Sequence, residues 1–215
     1  GFQEGNAIQY TFYVPHHIDE LIDLVGPEIF NTRLDSIFML SQKSIFGGGT
    51  EVDAFAGLKT VYNHGNQPNL HISWLFNFSG KPYLSQKWVR DEFYGLEGIH
   101  GYGYGQDEDQ GQLGAWYVIS ALGLFDVKGL TEINPKFQIG APLFDKVTIN
   151  LNREYYSGKE FVIEVKRHSV DDCYLQDVSL NGKQQETVLL PFEEVVKGGR
   201  LTLKLDSFPN KRLTH

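Results

Sequence analysis

Gln112-Leu113-Gly114-Ala115-Trp116-Tyr117-Val118-Ile119-Ser120-Ala121-Leu122-Gly123-Leu124 is the stretch on which the reading of the fold turns. Leu113, Trp116, Tyr117, Ile119 and Leu122 place apolar side chains on more than one face of a helix, a pattern more typical of a helix buried between neighbours than of one on a surface. Beyond Asn134 the pattern changes to short alternating or β-branched runs: Lys146 to Leu151, Glu160 to Val165, Cys173 to Leu180 and Arg200 to Leu205. Asn181-Gly182 between two of these runs signals a hairpin, because both central positions tolerate positive φ. Gly198-Gly199 before Arg200 reads as another turn. The expectation is a mainly α chain with a β-rich C-terminal part, divided into residues 1–134 and 135–215, the strands pairing antiparallel.

Upstream of the deciding stretch the periodicity is helical. Asp19, Leu21, Ile22, Leu24 and Val25 predict a helix over about 16–25 that Gly26-Pro27 stops. Phe30, Leu34, Ile37, Phe38 and Leu40 give a second stripe, ending before Gly47-Gly48-Gly49. Two more helices are expected from Asn69 to Phe78 and from Leu84 to Phe93, with Ser79-Gly80-Lys81-Pro82 as the break between them.

Composition excludes several classes. The 215 residues are 41% hydrophobic and 13% aromatic, enough to bury a substantial core. A formal charge of -8 leaves no basic face to neutralise phosphates, which argues against nucleic acid and anionic membrane surfaces. Cys173 is the single cysteine, so neither an internal disulfide nor a cysteine-built zinc site is available. No run approaches the roughly 20 apolar residues that span a bilayer. The chain opens on Gly1 with no signal-like segment, so it reads as the tail of something longer, any export signal lying upstream.

Three polar clusters carry the candidate chemistry. In Gly101-Tyr102-Gly103-Tyr104-Gly105-Gln106-Asp107-Glu108-Asp109-Gln110, glycines permit close backbone approach to a ligand, and Tyr102 and Tyr104 offer flat amphipathic surfaces for sugar rings. The spacing of Asp107 and Asp109 projects two carboxylates to one side of an extended loop, as a general base or a hard-metal site requires. The plainer reading is a helix N-terminus whose acidic residues complement the macrodipole. His64-Gly65-Asn66-Gln67-Pro68-Asn69 is either a turn capped by Asn69 or a source of neutral oxygen ligands and sugar hydrogen bonds. Glu4, alone among apolar and amide residues, suits a general acid, since desolvation favours the protonated carboxyl. His16, His17, His71, His100 and His168 have no zinc-ligand spacing. Asn77-Phe78-Ser79 matches a glycosylation sequon, but within or at the end of a predicted helix.

Together these clusters resemble a known family. Glu4-Gly5-Asn6-Ala7-x-Gln9-Tyr10-Thr11-Phe12-x-Val14-Pro15-His16 is followed in order by Gly65-Asn66-Gln67-Pro68-x-x-His71. Asp107-Glu108-Asp109-x-Gly111-Gln112-x-x-Ala115-Trp116-Tyr117-x-x-Ser120-Ala121-Leu122-Gly123 comes next, then Gly140-x-Pro142-Leu143-Phe144 and Leu180-Asn181-Gly182. The set resembles glycoside hydrolase family 92, calcium-dependent inverting exo-α-mannosidases best known from glycan-degrading bacteria.

The resemblance implies a fragment of an (α/α)6 toroid followed by strands, an upstream N-terminal β-sandwich domain as partner, and α-mannoside glycans, N-glycans among them, as substrate. It implies Glu4 as general acid, Asp109 as general base and Asp107 as base or water-positioning group. Around the Ca2+ ion and the terminal mannose it places Asn66, Gln67 and Asp107, with His64, Tyr102 and Tyr104 also at the sugar. An inverting pair stands about 6.5–9.5 Å apart so that water fits between. The resemblance also implies a secreted, periplasmic or cell-surface enzyme, poorly active as this chain alone. Many members carry Glu where this sequence has Gln67, which leaves the linkage open among α-1,2, α-1,3, α-1,4 and α-1,6. The competing readings are a non-catalytic sugar-binding module and an (α/α) glycosidase for a different sugar.

Overall fold

Gly26 adopts φ 86 at the end of α2 (Ile18–Val25), and Pro27 follows at the first position of α3 (Pro27–Ser41), where its missing N–H has no intrahelical role. This is how the expected Gly-Pro break is realised in the computed structural model, which describes residues 2–47, 59–96 and 110–213. A short α1 (Ala7–Tyr10) precedes these two helices. After them come α4 (Pro82–Leu96) and α5 (Gln112–Ala121). The apolar stripes point where their period predicts: Ile18 and Ile22 of α2 and Phe30, Leu34, Ile37 and Phe38 of α3 are buried in one core with Tyr62, Trp74, Trp88 and Trp116.

Two helical expectations need correction. The helix expected over residues 69–78 is instead a pair of 3-10 turns, Gln67–Asn69 and Ile72–Asn77. Every residue from Asn69 to Asn77 is buried, so the segment has no solvent face on which an amphipathic α-helix could rest. Its Asn, His and Ser side chains also compete for backbone partners, which disfavours a continuous helix. The second correction concerns α5: Leu113, Trp116, Ser120 and Ala121 are buried, but Ala115, Tyr117 and Val118 are exposed. One face of this apolar helix is therefore left open among the described residues.

The β-rich part begins earlier than expected. A three-stranded antiparallel sheet joins β1 (Leu124–Phe125), β2 (Lys136–Ile139) and β7 (Leu189–Pro191), segments too short for an alternating pattern to register. The larger sheet has the order β3 (Lys146–Asn150), β4 (Glu160–Lys166), β8 (Gly199–Asp206), β5 (Tyr174–Leu180), β6 (Lys183–Gln185). The strands are not all antiparallel: β8 runs parallel to β4 while pairing antiparallel with β5. Between β6 and β8 the chain crosses the smaller sheet as β7 and turns through α6 (Phe192–Val196), so it re-enters the larger sheet between two earlier strands. Parallel pairing needs such a crossover. Leu201, Leu203 and Leu205 alternate inward from β8, the central strand, into a second core with Phe161, Ile163, Leu175 and Val178. The β5–β6 hairpin turns on Asn181 at φ 51 and Gly182 at φ 79, the two positive values the sequence predicts.

Buried polar side chains fasten the helices to the strands. Arg90, 4% exposed, donates to the carbonyls of Val170 (2.7 Å), Pro142 (3.2 Å) and Ala141 (3.4 Å), while the Gln86 side-chain oxygen accepts the Leu175 N–H at 3.0 Å. Burial also pushes the Cys173 thiol up to about 11, which leaves it protonated and unreactive at neutral pH. Asn77 is fully buried and Ser79 donates its hydroxyl to Asn31, so the sequon offers no acceptor amide on the folded surface. Replacing Arg90 by Leu strands three carbonyls at once; the expected cost is roughly 2–4 kcal/mol, read as a lower denaturation midpoint, with Arg90→Lys recovering only part of it.

Candidate active-site cleft

Two largely irregular segments, residues 2–13 and 59–71, form two walls of the cleft and are tied together mainly by side-chain amides, while residues 110–129 supply a third wall. Asn6 caps α1 by accepting from the Ile8 and Gln9 N–H groups, and its amide donates to the Thr60 carbonyl at 2.8 Å. Gln9, fully buried, donates to the same carbonyl at 2.9 Å. In the second segment Asn63 closes the turn, its side-chain oxygen accepting from Gly65 N–H and its carbonyl from the Asn69 amide at 2.9 Å. Asn69 is thus a buried tie and not the helix cap considered from the sequence. Asn66, 3% exposed, joins the two segments by donating to the Glu4 carbonyl at 2.7 Å and to the Tyr10 hydroxyl at 3.3 Å.

The Glu4-Gly5-Asn6 motif has a local explanation. Glu4 sits at φ 56, a left-handed conformation that costs a non-glycine residue about 1 kcal/mol or more and persists only where surroundings impose it. Gly5 packs so closely against Tyr10 that a Cβ there would stand 2.3 Å from the ring. The glycine thereby lets Tyr10 lie over the motif, with its hydroxyl donating to the Gln3 carbonyl at 2.8 Å.

These ties enclose a cleft of about 630 Å³ lined by Glu4, Tyr10, Tyr13, Asn66, Gln67, His71 and Gln110, among others. The structure therefore brings together Glu4 from one motif with Asn66 and Gln67 from another. Gln110, one peptide bond after Asp109, lines the same cleft. Tyr102, Tyr104, Asp107 and Asp109 lie outside the described residues. Glu4 is exposed on the cleft rather than set among the apolar surroundings that the sequence suggests. His64 is placed differently from expectation: it does not line the cleft but is fully buried against Tyr62, Glu92 and Trp116. Its imidazole fills an aromatic interior, which a motif read along the chain does not disclose.

Tyr10, Tyr13 and His71 line the cleft without having been assigned to it, although Tyr10 and His71 both sit inside the quoted motifs. His71 Nε2 bonds the Phe12 carbonyl at 2.9 Å, a third tie between the two segments. Burial lowers its pKa, and the carbonyls of Phe12 and Pro68 oppose that shift without overcoming it. Unfolding therefore takes up a proton where the folded His71 stays neutral. Stability is fully present above the ordinary histidine value near 6.5 and is lost as pH falls from there toward the lower folded value. Thermal midpoints measured from pH 7.5 to 5 are expected to fall with acidification, and the contribution to that slope is expected to vanish in His71→Gln, which keeps a donor but does not titrate.

The fold resembles that of solved structures. The chain aligns at 34% identity, over 100% of its own length and 29% of the other chain, with the family GH92 inverting mannosidase BT2199 of Bacteroides thetaiotaomicron, at a TM-score of 0.81. The GH92 α-mannosidase BT3965 of the same organism aligns at 26% identity over 96% of this chain and 25% of that one, at a TM-score of 0.78, and has also been solved with mannoimidazole. An uncharacterized secreted glycosidase of Arthroderma benhamiae is 25% identical over 94% of this chain and 23% of its own length. The chain thus spans about a quarter of the length of the proteins it matches. Residues 1–207 match the glycosyl hydrolase family 92 catalytic domain, and the chain belongs to that family.

Proposed function

We propose that this chain supplies the acid, the base and part of the metal site of an inverting, calcium-dependent exo-α-mannosidase that removes terminal α-linked mannose from glycans. The observation that carries the proposal is the cleft itself, where Glu4 and the residue following Asp109 line one space with Asn66 and Gln67. Glu4 is the general acid: exposed on the cleft and held in a left-handed backbone by the Asn66 tie, it reaches the glycosidic oxygen and gives it a proton as the bond breaks. Asp109 is the general base that takes a proton from the attacking water, and Asp107 positions that water or shares the task. Inversion requires the two carboxyls on opposite sides of the anomeric carbon. Tyr102, Tyr104 and Gln67 contact the sugar, whereas the enclosed His64 supports the turn that carries Asn66.

The neutral oxygens of the cleft suit calcium, which takes six to eight oxygen ligands including amide and backbone carbonyls. Asn66 fits this role, because its nitrogen is engaged by the Glu4 carbonyl and no described residue donates to its Oδ1. Among the described residues no three His, Cys, Asp or Glu side chains gather into a metal site, so carboxylate charge has to come from elsewhere, with Asp107 the proposed source. When bound, the ion supplies a grip on vicinal sugar hydroxyls that favours ring distortion.

The relatives' greater length supports placing residues 1–134 within an (α/α)6 toroid and 135–215 in its β-rich C-terminal region, packed with an upstream domain of the same protein. A secreted relative supports an exported location, periplasmic or at the cell surface, and no helix among the described residues is long and apolar enough to cross a membrane. The open face of α5 and the fraction of the relatives' length covered support low activity for the isolated chain.

The test is release of mannose from a panel of α-linked mannobioses by the longer protein. Glu4→Gln and Asp109→Asn are each expected to lower kcat by about 100- to 10,000-fold while sugar binding persists. A chelator is expected to abolish turnover and added calcium to restore it. A parental enzyme that cleaves no mannoside would transfer the proposal to a sugar-binding module or to a glycosidase for another sugar, and parental turnover by Asp109→Asn would refute the base assignment.

A further inference from the structure

Glu92 stands where the sequence pattern calls for an apolar residue. It lies on α4 one turn from Trp88 and Val89 and beside Phe93, all three buried, and is itself 0% exposed. Neither of its carboxylate oxygens meets hydrogen-bond geometry with any described residue. What surrounds it is a closed polar group: His64 Nδ1 is 3.5 Å from Glu92 Oε1, the Tyr62 hydroxyl is 2.9 Å from the same Nδ1, and the Trp116 ring lies 4.1 Å from the imidazole. Burial holds the Tyr62 hydroxyl well above its ordinary value, and the adjacent Glu92 carboxyl raises it further through its charge and through a Tyr62–Glu92 approach that falls short of hydrogen-bond geometry.

A buried carboxylate without hydrogen bonds weakens a fold, and a well-packed apolar side chain of similar size in its place is commonly neutral or stabilising. Packing therefore does not account for Glu92, and its neighbours suggest what does. Its carboxyl and the Tyr62 hydroxyl face the same imidazole nitrogen of His64, and between them they fix the ring. His64 is in turn the anchor of the cleft-forming turn. Its backbone N–H donates to the Phe46 carbonyl at 2.7 Å, and two residues on is Asn66, whose amide holds the Glu4 carbonyl at 2.7 Å.

We infer that Glu92 is a positioning residue: through Tyr62 and His64 it sets the turn that places Asn66 and the Glu4 backbone, and it does so at the expense of stability. Its activity arm rests on the mannosidase proposal. Its stability arm does not.

The experiment compares the longer protein with its Glu92→Leu, Glu92→Gln and Tyr62→Phe variants by thermal denaturation and by kinetics on an α-mannoside. Glu92→Leu is expected to keep or raise the thermal midpoint while kcat falls about 10- to 100-fold, the range for misplacing a catalytic group by up to an ångström, with KM changing much less. Glu92→Gln and Tyr62→Phe are expected to lower kcat in the same sense, and the double variant no further than the worse single one, as for residues acting through one chain of contacts. A lower midpoint or loss of folding in Glu92→Leu overturns the inference, since the carboxylate would then be holding the fold. So does parental kcat in that variant. Should the parent cleave no α-mannoside, the mannosidase proposal falls separately, and the direction of the midpoint in Glu92→Leu alone decides for or against Glu92.

Discussion

The cleft depends on the Asn66 amide reaching across to the Glu4 carbonyl. The segments on either side have little regular structure of their own, so their backbone groups must find partners elsewhere or remain unsatisfied. Asn6, Gln9, Asn66, Asn69 and His71 supply those partners, four of the five by an amide, whose donor carries no charge to desolvate. Each such bond contributes only about 1 kcal/mol net, but leaving a buried partner unmade costs more. Their value lies in geometry: they hold residues 2–13 and 59–71 at a fixed separation, and these two segments with residues 110–129 bound the cleft.

This division of labour explains what could be read from the sequence. The helices α2, α3 and α4 and the long strands carry periodic apolar residues, and periodicity is a local signal. The Asn181-Gly182 turn is local as well, because its two positive φ values follow from residue type. Pairing partners are not local. Nothing within Gly199–Asp206 states that the strand enters between β4 and β5, so its parallel pairing was not legible. The buried stretch from Asn69 to Asn77 illustrates the opposite failure: its composition permits a helix, and enclosure on all sides imposes 3-10 turns.

The site was legible to the extent that its residues form motifs. Glu4 and the Asn66-Gln67 pair come from two separate stretches and meet in one cleft, and Gly5 is explained by the approach of Tyr10. His64 was misplaced because its neighbours in space, Glu92 and Trp116, are far from it in the chain. The same distance concealed Glu92, whose neighbours Tyr62 and His64 lie far from it in the chain.

The buried polar groups fall into two kinds, and the contrast bears on how the molecule works. Arg90, Asn66 and Asn69 each donate to two or more partners, so they consolidate the structure around them. Glu92, the Nε2 atom of His64 and the indole nitrogen of Trp116 have no hydrogen bond among the described residues, although they sit together in the interior. Strain at Glu4 on one side of the turn that carries Asn66 and a buried carboxyl without hydrogen-bond geometry at Glu92 on the other are what a region shaped by demands other than stability contains. The cleft and the interior behind it are therefore one unit, and the turn from Asn63 to Asn69 is the element they share.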